Sequence, residues 1–113
     1  MLIEINNIKC PTASELGRNV NWMIKMAIRE DLRQSIYAEA IKYQKKETPK
    51  TIKVEANYKD FKKIGPCDLF TKPILSGLLK AGLLDDKDVE NINWSCSVKM
   101  KMPSDKIIIY INE

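Results

Sequence analysis

Val20, Met23, Ile24, Ala27, Ile28, Leu32, Ile36, Ala40 and Ile41 recur at three-to-four spacing, and only one long helix with a continuous apolar face accommodates a stripe of that length. The stripe predicts this helix from near Val20 down to Tyr43. Upstream, Thr12-Ala13-Ser14-Glu15 has the spacing of a capping box, although Gly17 and Asn19 weaken the turns that follow. The segments around the helix read as strands. Residues 2–8 alternate loosely and stop at Lys9-Cys10-Pro11, while Ile52, Val54, Ala56 and Tyr58 alternate with Thr51, Lys53, Glu55 and Asn57. Trp94, Cys96, Val98, Met100 and Met102 repeat the period of two, and Met102-Pro103-Ser104-Asp105 leads into residues 107–111, so these two runs are expected to form a terminal hairpin.

Between the second and third strands lies a shorter helix, in which Pro73 fits only near the first turn. Gly82 is placed to close its C-terminus with Leu83 packing back, and Lys80 sits in its last turn, where the helix dipole favours a cation. The order β-α-β-α-β-β predicts an α+β domain: a mostly antiparallel four-stranded sheet with one long and one short helix packed on one face. A chain of 113 residues is expected to form a single domain, 1–113.

Composition narrows the function classes. Hydrophobic residues at 44% and charged residues at 30%, without a long apolar run, give no membrane span. The N-terminus MLIEINNIKC lacks the basic start and apolar stretch of a signal peptide, so a cytoplasmic location is expected. Cys10, Cys67 and Cys96 match neither a zinc site nor a redox pair and are read as reduced thiols. With no histidine in the chain, zinc hydrolases, Ser-His-Asp triads and Cys-His nucleophile pairs are excluded together. Catalysis would rest on carboxylates, lysine or a metal ion. The net charge of +4 is compatible with nucleic acid without requiring it.

Two sets of residues point towards chemistry. In PCDLFTKPILSGLLKAGLLDD, residues 66–86, Asp68 precedes the short helix and Asp85 and Asp86 follow it. If the helix ends come together, these carboxylates repel one another and are relieved by Mg²⁺, which takes oxygen ligands and activates water for phosphodiester cleavage. Alternatively, Asp68 caps the helix and Asp85 and Asp86 occupy a solvated turn. The second set is basic: Lys25, Arg29 and Arg33 at every fourth residue with Arg18 upstream, then Lys59, Lys62 and Lys63, then Lys99 and Lys101. These clusters either follow a phosphate backbone or form a hydrated surface. Trp22, Trp94 and Tyr58 can stack on bases, but burial in the core or an interface is the expected role. Met23 and Met26 read as packing or dimer contacts.

The acidic segment, the following strand pair and the element order together resemble the RusA family of Holliday-junction resolvases, most clearly over residues 53–111. The family's pattern runs D-x-D-N-x-x-K-x-x-x-D, then a helix ending near K-A-G and an acidic pair, then a strand ending in K-M-P and a final strand. Lys72, Lys80-Ala81-Gly82, Leu84-Asp85-Asp86, Lys101-Met102-Pro103 and residues 107–111 fall in register. The resemblance implies a homodimer that binds four-way DNA junctions and cuts them with Mg²⁺ held by acidic residues of each subunit. Asp68 and Asp86 match two of those, and Lys72 matches a cation beside the metal that neutralises charge building on the phosphodiester. The first acidic position is Pro66, the motif asparagine is Leu69 and the later acidic position is Ser76.

With those carboxylates gone, the expected function is a branched-DNA-binding protein, derived from a Mg²⁺-dependent endonuclease and weak or inactive in cleavage. One alternative is a working endonuclease in which Asp85 joins Asp68 and Asp86 as metal ligand, with Lys72 assisting. Another is a phage or mobile-element protein that has reused the fold to inhibit a host defence or nucleic-acid-processing protein.

Overall fold

Period-two alternation places four strands, β1 (Leu2–Asn6), β2 (Thr51–Asn57), β3 (Asn93–Lys99) and β4 (Lys106–Ile111). Three helices lie between them: α1 (Trp22–Ala40), α2 (Asp68–Lys80) and the short α3 (Asp86–Val89). The computed structural model describes residues 1–11, 20–45, 47–59 and 68–113, with the side chains of residues 68–70 left aside. The capping box at 12–15, Arg18, Lys62, Lys63 and Cys67 lie outside the described residues, as does the side chain of Asp68.

The sheet runs in the order β1-β4-β2-β3. β4 is antiparallel to both β1 and β2, whereas β2 and β3 pair in parallel from Thr51↔Asn93 to Asn57↔Lys99. The α+β class is as expected, but the sheet is mixed, and the expected terminal hairpin does not form because β2 separates β3 from β4. The reason lies in the connections. The chain leaves β2 through α2 and α3, a crossover long enough to bring β3 alongside β2 in the same direction. The link to β4 then passes over the end of β2. There Tyr58 N–H donates to the Lys99 carbonyl at 2.8 Å and Met102 N–H to the Tyr58 carbonyl at 3.0 Å. Asp105 holds this link down: its Oδ1 accepts from Lys59 N–H at 2.9 Å and its carbonyl from Asn7 N–H at 3.0 Å.

One face of the sheet supplies the core: Ile3 and Ile5 of β1, Ile52, Val54 and Ala56 of β2, and Ile107, Ile109 and Ile111 of β4. Leu32, Ile36 and Ala40 of α1, Ile74 and Leu78 of α2, and Leu83 and Leu84 close over it. Each such branched side chain stabilises the fold by about 1.5–3 kcal/mol. Tyr58 is wholly buried and Trp94 packs half-buried against the core, so neither is free to stack on a base.

The expectation of a continuous apolar face on α1 fails over its first two turns. Leu32, Ile36 and Ala40 are buried, but Trp22, Met23, Ile24 and Met26 are exposed, so Met23 and Met26 do not pack inward. Nineteen residues extend about 27 Å, and only the later turns of α1 reach the core.

The close of α2 follows the sequence reading. Gly82 has φ +83°, its N–H donates to the Leu79 carbonyl, and Leu83 N–H reaches the Leu78 carbonyl, both at 3.1 Å. This is a Schellman cap, with buried Leu83 and Leu78 as its apolar contact. Cys10 is a free, buried thiol, and burial pushes it up to about 12. Cys96 is disulfide-bonded, which corrects the reading of it as a reduced thiol. Among the described residues no helix is long and apolar enough to cross a membrane.

Candidate anion-binding groove

The two acidic ends of α2 do not behave alike. Asp68 opens the helix, and thirteen residues put its backbone about 18 Å from that of Lys80. Beyond the other end, Asp85 is the N-cap of α3: its Oδ1 accepts from the N–H groups of Lys87 and Asp88, both at 3.0 Å. Asp88 completes a reciprocal cap by accepting from Asp85 N–H at 3.0 Å. Lys45 then bridges the pair, with its Nζ 2.6 Å from Asp88 Oδ2 and 3.5 Å from Asp85 Oδ2. The Asp88 bond raises the Lys45 pKa, while the bond from Asp88 N–H, with help from Lys45, lowers that of Asp85.

An ammonium group therefore sits beside Asp85, one of the three carboxylates that the sequence reading gave to a divalent cation. Asp85, expected as a metal ligand, is occupied as a cap, and Asp86 is exposed in the first turn of α3. Among the described residues no group of three or more acidic or thiol side chains is placed to hold a metal ion. The Asp85 and Asp88 oxygens do not fit Mg²⁺, which needs open oxygen ligands rather than ones already committed to N–H donors. Neither Lys45 nor Asp88 was singled out from sequence, although Asp85-Asp86-Lys87-Asp88 carries the spacing of a capping box.

The cations tell a different story. α1 and α2 run side by side in the same direction, and a groove of about 300 Å³ between them is lined by Met26, Arg29, Glu30 and Arg33 from α1 and Lys72, Pro73 and Ser76 from α2. Each set is a helical row spaced by three or four residues, so the two rows face one another wherever the helices touch. Gly77 permits the contact. A Cβ there would lie 2.8 Å from Ile36 Cβ and Cγ2 and 3.0 Å from the Arg33 carbonyl oxygen, so only glycine allows the helices this close.

Among the described residues, Glu30 is the sole carboxylate lining the groove. It accepts from Arg33 Nε at 2.9 Å, from Arg33 Nη2 and from Gln34 Nε2 at 2.9 Å, and the Arg33 bonds above all lower its pKa to about 2. Glu30 thus stays ionised and offsets one guanidinium. Arg29 and Lys72 have no carboxylate partner among the described residues. Further along the same seam, Lys80 lies over the Tyr37 ring, 4.9 Å from its centroid. Two cations without a described carboxylate partner and one shared cation facing a common space form a site for an anion, and guanidinium groups match phosphate oxygens two at a time.

Among the described residues, Lys25, Lys99 and Lys101 do not line this groove. Lys25 sits half-buried one turn above Arg29 and is not part of the lining. Lys99 pairs with Glu55 at 3.0 Å on the sheet face away from the helices, and Lys101 is exposed in the link to β4 with φ 57°. Of the three expected basic clusters, Lys62 and Lys63 lie outside the described residues, and within the described ones Arg29 and Arg33 meet Lys72 in one groove. Sequence spacing found the Arg29–Arg33 row and singled out Lys72, but only the helix contact at Gly77 joins them. In comparisons with known proteins, the chain matches no family model and no curated protein.

Proposed function

We propose that this chain binds the phosphate backbone of branched DNA in the α1–α2 groove, as a RusA-like junction-binding protein that is weak or inactive as a nuclease. The observation that carries this reading is the meeting of Arg29, Arg33 and Lys72 across a groove whose one carboxylate among the described residues, Glu30, is already paired. In the resemblance to the resolvases, Lys72 stands beside the metal. Among the described residues the groove groups Lys72 with Arg29, Arg33 and Ser76, while the one carboxylate, Glu30, is bound to Arg33, a donor set suited to holding a phosphodiester. The commitment of Asp85 to capping supports weak cleavage for the same reason. A homodimer in the cytoplasm belongs to this reading.

Gel shifts with labelled four-way junction, duplex and single-stranded DNA at low salt test it. Three phosphate contacts give a salt slope of about −2.7, or roughly a 40-fold loss of affinity between 50 and 200 mM salt. Replacing Arg29 and Lys72 by glutamate should abolish binding. If the wild type binds none of the three DNAs, or the charge-reversed variant binds as well as the wild type, the reading fails. Incubating the junction with Mg²⁺ should leave it intact; cleavage that disappears in Asp86→Asn would establish the nuclease instead.

A further inference from the structure

Trp22 is the feature that the phosphate groove leaves unexplained. It is 70% exposed, in a chain whose other tryptophan packs against the core. Exposing an indole forgoes the burial that usually stabilises it, and here Met23, Ile24 and Met26 are exposed beside it. The turn that presents it is fixed: Asn21 caps α1, its Oδ1 accepting from Met23 N–H at 2.8 Å and its carbonyl from Lys25 N–H at 3.1 Å.

Trp22, Met26, Arg29 and Arg33 follow one another at i, i+4, i+7 and i+11, a single line along α1. The last three line the groove, so Trp22 continues it by one further turn, about 6 Å beyond Met26 and 10 Å beyond Arg29. We infer that Trp22 is a stacking platform for an unpaired base of the strand whose phosphates lie on Arg29, Arg33 and Lys72, an inference that rests on the phosphate reading of the groove.

Charge decides the occupant. The first turn of α1 carries no acidic residue, its free N–H groups give it a partial positive charge, and Lys25 and Arg29 follow. A second copy of the chain seated on this patch would set those same cations against one another. A nucleic-acid strand brings the opposite charge together with flat apolar rings. Bases inside a duplex are already stacked, so the ligand must expose one, as single strands and open junction centres do.

The test compares the wild type, Trp22→Ala and Trp22→Phe on oligothymidylate and on a blunt duplex of equal length at 50 mM salt, with circular dichroism to confirm folding. Loss of one stacked base lowers affinity roughly 5- to 150-fold, so Trp22→Ala should reduce the oligothymidylate-to-duplex affinity ratio by that factor, and Trp22→Phe should restore most of it. An unchanged ratio in Trp22→Ala overturns the inference while leaving the phosphate groove standing. Failure of the wild type to bind either DNA overturns both. Sedimentation showing that Trp22→Ala turns a dimer into a monomer would assign the patch to a contact between copies instead.

Discussion

Replacing Gly77 by alanine sets two physical effects against each other with opposite signs. Alanine is the better helix former by about 1 kcal/mol, and Gly77 lies in the interior of α2, so propensity alone makes Gly77→Ala stabilising. Packing argues the reverse. The new Cβ would stand 2.8 Å from Ile36 Cβ, and ordinary contact begins at 3.4 Å, so α1 and α2 have to part by about 0.6 Å. Neither neighbour can yield by rotating, because Ile36 Cβ is bonded directly to the backbone and wholly buried, and the other contact is the Arg33 carbonyl itself. Overpacking costs about 1–3 kcal/mol, and with both contacts unable to yield the upper part of that range applies, about 2–3 kcal/mol. After the propensity gain, a net destabilisation of about 1–2 kcal/mol remains, a fall in Tm of about 4–8 °C. Thermal and urea unfolding of the two proteins measure it. Gly82→Ala is the comparison: it meets nothing within 4 Å and suffers only the strain of φ +83°, about 1 kcal/mol. A Gly77→Ala protein as stable as the wild type, or more so, would refute the close approach that forms the groove.

The other expectations concern single side chains. Glu30→Gln removes the carboxylate that competes with phosphate for Arg33, so DNA affinity at 50 mM salt should rise about tenfold, the worth of one charge-assisted hydrogen bond, read from gel shifts beside the wild type. Asp88→Ala leaves Asp85 N–H without its acceptor and removes the closest partner of Lys45; urea denaturation should show a loss of about 1–3 kcal/mol. Glu30 and Asp85 both have folded pKa values below their ordinary values of 4.5 and 3.8, so their contributions are complete above those pH values and are lost as pH falls through the lower, folded-state values. The double variant Glu30→Gln, Asp85→Asn should show a flatter stability curve between pH 4.5 and about 2, measured by denaturation at each pH. Cys10, with its thiol pushed up to about 12 by burial, should resist a thiol reagent at pH 8 in the native protein and react once the chain is unfolded.

Local signals in the sequence were reliable where one residue decides the geometry. Gly82 closes α2 because a left-handed residue is needed there, and the alternation at 51–58 becomes β2 because a half-buried strand demands it. What the sequence did not reveal depends on distant partners. Trp94 to Val98 and Ile107 to Ile111 alternate equally well in a hairpin or on either side of another strand, and only the crossover through α2 selects the latter. The stripe on α1 records which residues are apolar but not where the core ends, so Met23 and Leu32 look alike on the chain and differ in the fold. Asp85 likewise carries the same charge as a metal ligand or as a helix cap. The ammonium of Lys45, forty residues away, reinforces the capping role.

β4 has neighbours on both sides, yet it is the last strand in chain order, and its partner β1 is the first. During synthesis β1 therefore waits for its hydrogen-bonding neighbour β4 until about a hundred further residues have emerged, since Lys106 follows Asn6 at that distance. The β1–β4 pairing closes across about a hundred residues, which favours slow folding. A nascent chain stalled before Lys106 would expose the apolar faces of β1 and β2 together, making premature termination near that end a route to aggregation rather than to a shortened working protein.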